Sequence, residues 1–589
     1  MITVSQADTT VNRAGPRRGR GQPSKQSPAR IQAINRAVVQ ALLRGDEAPS
    51  DTALAKTLGL GERTVRTIRL ETLGLNHYEL KRWQQAARCT SVPSENSERR
   101  LVCSTPFAGL WLLVPQIIDS GLVQAAQKLK IVGRTRVLAT QIVLTLLAWA
   151  ALSFQRLWHL DDHRHWADLG LALFTGSLRL WSDTTLWRWV HGITPESAAA
   201  FYEQTAGSVA GESRSQGRFS LDEHVVPSFS KRKPRPLGKT RVPTRGRSYP
   251  AFRLYVPFDL DVRRFMGLIV TNAHKTLAQI ALGLLQEIRR LRRAAGIPDP
   301  DQVRLIMDRG AYKGSLVETL LDDPRVSFIA MARATKPNVR QWQDLPERTF
   351  HPYQPAGETN PHLKIARAVT HIKGCRHPVP SIVIRDDTPD TQQRWRVLFF
   401  KNAPGTHPHA ETIDAEYRER QHHEMGYAQY VHAVAGHSLP KAYEMIRVTN
   451  AQGQKRTTVA TAETDKSHRD VQLVAWIKCL AFNLIHDLGT ALGRTQAKQQ
   501  VMTLVRRYVL RPGRLYLHAG QLIVQLDPFR GDEALRPYLQ QLNARRLPIP
   551  WLYGLVLQVE IAAQPEGLAA TPHILGHRIL ANSGAAAPF

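Results

Sequence analysis

Apolar positions change their period several times along the chain, and each change marks a different kind of element. Residues 1–29 have no apolar period and are rich in Gly, Pro, Ser and Arg, including Arg17-Arg18-Gly19-Arg20. They are expected to form a basic disordered arm. Residues 30–85 read as helical, and Ser50 to Leu70 follows a helix-turn-helix pattern. Ala55 is small enough for two helices to cross closely, Gly59 falls where the turn needs positive φ, and Val65 and Ile68 form the inner face of the second helix. Glu62, Arg63, Arg66 and Thr67 then face outward, which makes Arg63 and Arg66 candidates for DNA contact. Residues 86–100 are polar and suit a linker. Residues 100–210 form a helical domain rich in leucine and tryptophan. Its most apolar run, Val137 to Leu152, is too short to span a bilayer and reads as a buried helix. Ser182-Asp183-Thr184-Thr185 caps a helix through Leu186, Trp189 and Val190, a candidate second DNA-binding unit.

From residue 219 the pattern shifts to short strands mixed with helices. Strands are expected at Ser220–Ser228, Phe252–Leu260 and Arg263–Asn272, then an amphipathic helix over 276–296 with Leu277, Ile280, Leu284, Ile288 and Leu291 on one stripe. A buried strand Val303–Met307, a helix Gly314–Leu321 and a strand Val326–Ala332 follow. Residues 335–403 are proline-rich with scattered strands at Val379–Ile384 and Arg396–Phe400. Ala415–His432 reads as one helix and Val471–Leu488 as a core helix. Beyond 490, Arg514–Leu526 alternates like strands and 533–545 like a surface helix. The fold class is therefore α/β, with a mixed sheet and flanking helices over 215–334 and 404–490, a β-rich insertion over 335–403, all-α N-terminal regions, and a C-terminal region over 491–589.

Composition narrows the partner. Among 589 residues, Lys and Arg number 79 and Asp and Glu 49, a formal net charge of +30. Such an excess points to a polyanion, with nucleic acid ahead of an anionic membrane surface. Cys89, Cys103, Cys375 and Cys479 form no CxxC pair, which disfavours a zinc ribbon or a disulfide framework and fits a reducing cytosol. No GxxxxGK[ST] loop is present, so no ATP requirement is expected. No nucleophile elbow frames a serine or cysteine.

Three acids stand out by position. Asp222 interrupts an apolar strand, where a carboxylate is costly unless paired or bound to a metal. Asp308 ends the buried strand Val303–Met307, and open sheets bind ligands at such carboxyl ends. Glu424 lies on the helix with Tyr417, Arg420 and Tyr427. At 100° per residue these four fall within about 80° of arc, so one face presents polar groups where an apolar stripe would be usual.

These residues carry a resemblance. The order of elements is similar to the ribonuclease-H-like fold, and the motifs resemble those of DDE transposases from bacterial insertion sequences with the YREK signature. Tyr417, Arg420 and Glu424 match its spacing, and Asp308-Arg309-Gly310 matches the Asp-x-Gly at the second acid. Asp222 matches the first acid. The chain departs from the pattern at Val431, where the signature has lysine, and at Glu223 and His224, where a small residue and threonine usually follow the first acid. His432 is placed to replace the lysine in part.

The resemblance implies that Asp222, Asp308 and Glu424 are catalytic and hold Mg²⁺ or Mn²⁺, as two ions about 4 Å apart that activate the attacking oxygen and stabilise the leaving one. It implies double-stranded DNA as partner, both terminal inverted repeats and target, with a homodimer on DNA and no membrane. The place implied is a bacterial cytoplasm, at the nucleoid. Tyr417 and Arg420 would contact phosphates beside the cut. The loop 229–248 carries Lys231, Arg232, Lys233, Arg235, Lys239, Arg241, Arg245 and Arg247 without an acid, and would follow a DNA backbone. Trp342 and Trp395 are candidates to stack on an unpaired or flipped base. The alternative is a transposase-derived DNA-binding protein without catalysis.

Overall fold

The computed structural model describes residues 28–44, 48–73, 99–132, 137–161, 168–178, 180–212, 214–227, 239–242, 247–389, 394–439, 446–449, 455–458, 461–529 and 531–563. The expected basic arm lies outside them up to residue 27, as do Lys231, Arg232, Lys233, Arg235 and Arg245.

At the centre is a nine-stranded mixed sheet. We number its strands β1 (Arg218–Leu221), β2 (Phe258–Asp259), β3 (Arg264–Phe265), β4 (Val303–Met307), β5 (Val326–Met331), β6 (His351–Pro352), β7 (Leu363–Thr370), β8 (Val379–Asp386) and β9 (Arg394–Lys401). Their spatial order is β6-β7-β8-β9-β5-β4-β1-β2-β3. β1, β4 and β5 run parallel, as the helices between them allow, whereas β2 pairs antiparallel with β1. The apolar runs of β4 and β5 are buried on both faces, as parallel strands require.

The residues of the expected β-rich insertion carry strands that extend this sheet. β9 pairs antiparallel with β5, Ile329 opposite Phe400, and β8 and β7 continue outward. The physical reason is the edge: β5 would otherwise expose an unpaired row of backbone groups. The strand Leu363–Thr370 and the helix Lys336–Gln343 went unseen in sequence because proline and polar residues interrupt their periods.

Ser220–Ser228 is not one strand. β1 ends at Leu221, and Glu223–Pro227 starts a second strand that pairs with Arg247–Tyr255 in a separate sheet. Asp222 is the residue between them. The basic Lys239–Val242, which contains Lys239 and Arg241, pairs with the far half of Arg247–Tyr255.

The expected division between 100–210 and 491–589 is also redrawn. The strand Arg100–Thr105 pairs with Gly513–His518, which joins Gln521–Leu526, Leu555–Ile561 and Pro548–Ile549 in a five-stranded sheet. The region after 432 further contains a hairpin of Ile446–Thr449 and Lys455–Thr458. A single helix, Thr461–Ala491, ties the parts together. By length and composition its segment Arg469–Ala491 is apolar enough to cross a membrane, but 83% of its most apolar 18-residue stretch is buried in protein. Asn483 on it bonds both backbone groups of Phe265, at 3.0 and 2.9 Å. Its buried Lys478 lies 3.8 Å from the Trp149 ring of the helix Ala139–Ala151 and donates to the carbonyls of Val434 and Ala435.

The N-terminal segment has helices Pro28–Arg44, Asp51–Leu58 and Glu62–Leu73. Ser50 caps the second helix, and Gly59 ends it at φ 62°. Val65 and Ile68 are buried, whereas Arg63 and Arg66 are exposed. Arg69 holds the turn from inside through Asp51, at 2.8 Å.

Candidate active site

Asp222 owes its position to the strand break. Its backbone carbonyl accepts from Tyr427 Oη at 3.2 Å, and Tyr427 Oη in turn accepts from Val256 N at 3.2 Å. Behind it stands a column of stacked rings. His224 lies between Tyr427 and His437, each with centroids 5.0 Å away, and His423 stacks on Tyr427 at 4.5 Å and on Phe258 at 5.2 Å. Burial keeps His224 neutral, with its pKa pushed down to about 3, and His437 beside it adds to that. Glu223 is held by Arg253 at 2.7 Å. Glu223 and His224, the two residues after Asp222, thus form the wall behind it.

Asp308 ends β4 and caps the single turn Arg309–Ala311, its Oδ1 accepting from the Gly310 amide. A Cβ at Gly310 would stand 2.7 Å from that oxygen, so a side chain there would push the carboxylate away. This gives the Asp308-Arg309-Gly310 motif a local reason.

Glu424 comes from a helix that is not the continuous one expected. Ala410–Arg418 stops, Glu419 and Arg420 bond back three residues to Glu416 and Tyr417, and Gln421–Ala433 resumes. The tightened turn brings Tyr417, Arg420 and Glu424 to one cleft and sends Tyr427 inward behind Asp222. Glu419 pairs with Arg218 instead, at 2.9 Å. Val431 packs against the core and His432 is exposed.

Arg420 joins the acids. One of its terminal nitrogens lies 3.0 Å from Asp222 Oδ2, and the other bonds Glu424 Oε1. Burial pushes the Asp222 carboxyl up to about 7; Arg420 opposes the rise, and the negative charges of Asp308 and Glu424 add to it. The three acids thus share one electrostatic environment. Asp308, Glu424, Arg309, Arg396, Tyr417, Arg418, Arg420 and Gln421 line a cleft of about 250 Å³. Arg309, Arg396 and Arg418 were not singled out by sequence. Arg418 had a signal in its place beside Tyr417, whereas Arg396 reaches the cleft only through sheet pairing.

The acids offer only oxygen donors, which suit a hard divalent cation. Among the described residues, however, no group of three or more His, Cys, Asp or Glu is arranged to hold a metal ion. A cation would take oxygens of Asp222 and Glu424 that Arg420 now holds.

Burial corrects the stacking expectation for Trp342. Trp342 is 2% exposed and packs against Trp395, with centroids 6.5 Å apart. Trp395 is half-buried, with Phe350 at 6.4 Å and the Arg385 guanidinium at 5.9 Å. Their rings fill the space between the helix Lys336–Gln343 and β9, and neither lines the cleft.

No family model matches the sequence, and no curated protein matches it. Among solved structures, the chain is similar to a chain of the piggyBac transposase synaptic complex with hairpin DNA. The match covers 69% of this chain and 80% of that one, at a TM-score of 0.33 and 11% identity.

Proposed function

We propose that this chain is a DDE-type DNA transposase with a ribonuclease-H-like core, cutting and joining phosphodiester bonds at the ends of a bacterial mobile element. The observation that carries this reading is that Arg420 joins Asp222 to Glu424 beside the cleft that Asp308 and Glu424 line. Asp222 and Asp308 follow the carboxyl ends of the adjacent parallel strands β1 and β4, and Glu424 stands on a helix. Strand order adds support, with β1 central between antiparallel β2 and parallel β4. The net charge of +30 suits a DNA partner.

Asp222, Asp308 and Glu424 would hold Mg²⁺ or Mn²⁺ only once Arg420 has given up its contacts to Asp222 and Glu424, and the ion would then supply charge for the attacking and leaving oxygens. The chain's own residues do the rest. Arg309 and Arg420 offer guanidinium donors to phosphate oxygens. Tyr417 forms the wall behind Arg420, whose guanidinium lies 5.8 Å from its ring. The stacked column behind Asp222 holds the strand break still. Arg63 and Arg66 on the N-terminal helices, and the basic residues of 229–248, would track the duplex. Two copies would hold two element ends.

The test is metal-dependent nicking of supercoiled plasmid carrying the element's ends. Wild type should nick and join, and Asp308→Ala should bind equally and do neither. Wild type that binds without nicking in Mg²⁺ or Mn²⁺ would leave a DNA-binding protein in place of an enzyme.

A further inference from the structure

Beside the three acids stands an arginine pair built around a buried carboxylate. Asp414, in the helix Ala410–Arg418, is fully buried. Its Oδ2 accepts from Tyr353 Oη at 2.7 Å, Arg418 Nε at 2.8 Å and Arg396 Nη2 at 3.0 Å. A carboxylate removed from water needs such partners. Asp414 balances one of the two guanidiniums and the half-exposed Glu358 meets the other, and both arginines line the cleft that Asp308 and Glu424 line.

The three parts come from different elements: Arg396 from β9, Arg418 from the last turn of its helix, and Tyr353 from the segment after β6. Asp414 takes Arg418 by its Nε and Arg396 by a terminal nitrogen, and both side chains reach the cleft, with exposures of 29% for Arg396 and 22% for Arg418. The terminal nitrogens of Arg418 meet the half-exposed Glu358 at 3.4 Å, a long contact that a stronger acceptor would displace.

We propose that Arg396 and Arg418 clamp one backbone phosphate of the bound DNA strand, next to the phosphodiester that the acids address, and that Asp414 is the positioning residue that aims both. The proposal rests on the reading of the cleft as a DNA-cutting site. Planar guanidinium forks match phosphate oxygens in pairs. Two forks anchored on one buried carboxylate lose little side-chain freedom on binding.

The experiment measures binding of the full chain to a labelled DNA duplex with a single-stranded overhang, in chelator, across a potassium chloride series. Arg396→Ala and Arg418→Ala should each weaken binding by roughly five- to tenfold and lower the salt slope by about one. The double variant should also lower it by about one, because the phosphate is shared. A drop of about two would mean separate phosphates and overturn the clamp. Unchanged affinity and slope would overturn it too, while persistent nicking by the same variants would leave the proposed function standing. Absence of binding by wild type would instead remove that function.

Asp414→Asn separates aim from charge. Removing a negative charge beside the cleft should tighten DNA binding if only net charge matters; a positioning role predicts weaker binding. Binding as tight as wild type, with an unchanged melting temperature, overturns the role of Asp414. Should that variant fail to fold, Arg396→Lys with Arg418→Lys keeps both charges and removes both forks. Weaker binding by it supports the clamp, and wild-type binding overturns it.

Discussion

Asp222 carries the clearest consequence for single residues. Its carboxyl rises from 3.8 to about 7, with burial as the main cause. Between those values the folded chain binds a proton that the unfolded chain has released, so this residue lowers stability as pH climbs from about 4 to about 7. Asp222→Asn removes the effect. In chelator, the melting temperature of the variant minus that of wild type should be more positive at pH 8 than at pH 4. The gain is bounded by about 4 kcal/mol, a bound that already contains the opposing effect of Arg420. An equal difference at both pH values would contradict the burial argument. The tryptophans belong to the same scale. Trp342→Ala should cost roughly 3–5 kcal/mol of stability as a core cavity, with DNA affinity per folded molecule unchanged. Selective loss of DNA binding at full stability would restore the stacking role expected from sequence. Composition marks Trp342 as a large aromatic in a polar stretch, and packing decides whether such a ring is a platform or a core residue.

At the scale of elements, the site depends on three interruptions. β1 stops at Asp222, β4 ends in the turn at Gly310, and the helix carrying Glu424 is tightened at Arg420. Periodicity locates all three elements but not the breaks, since an apolar pattern continues across a change of sheet and a helical pattern continues across a tightened turn. Gly310→Ala tests the second break. The added methyl presses on Asp308 Oδ1, so cleavage should fall on the order of ten- to a hundredfold, with DNA binding within about twofold. Full activity would show that the turn yields without moving the carboxylate. The Asp-x-Gly spacing was legible because the glycine requirement is local, set within one turn. The meeting of Arg396 with Arg418 was not, because it depends on β9 joining β5.

For the whole molecule, charge is the main lever. The 229–248 segment begins within a few residues of Asp222 in sequence, and its basic residues would extend the cleft along a duplex. Replacing Lys231, Arg232, Lys233 and Arg235 by serine should reduce the slope of log Kd against log salt by up to about 0.9 for each phosphate left without its cation. An unchanged slope would mean a solvated loop. The long helix Thr461–Ala491 has the complementary role. It receives the Phe265 strand through Asn483 and the end of the Glu424 helix through Lys478, so the cleft and the N-terminal helical region share one core. Domain boundaries drawn at 210 and 490 missed this, because strands that pair across hundreds of residues leave no local signature.

The sequence by itself determined many of the elements, the basic character and the places of the three candidate acids in the pattern, because periodicity, composition and turn chemistry act over short stretches. Only the tertiary structure decided that residues 335–403 continue the central sheet, that Trp342 lies in the core, and that Arg420 and the Asp414 arginine pair stand at the acids. Those outcomes rest on strand pairing and burial between distant segments, where the free energy of an arrangement belongs to the pairing and not to either stretch alone.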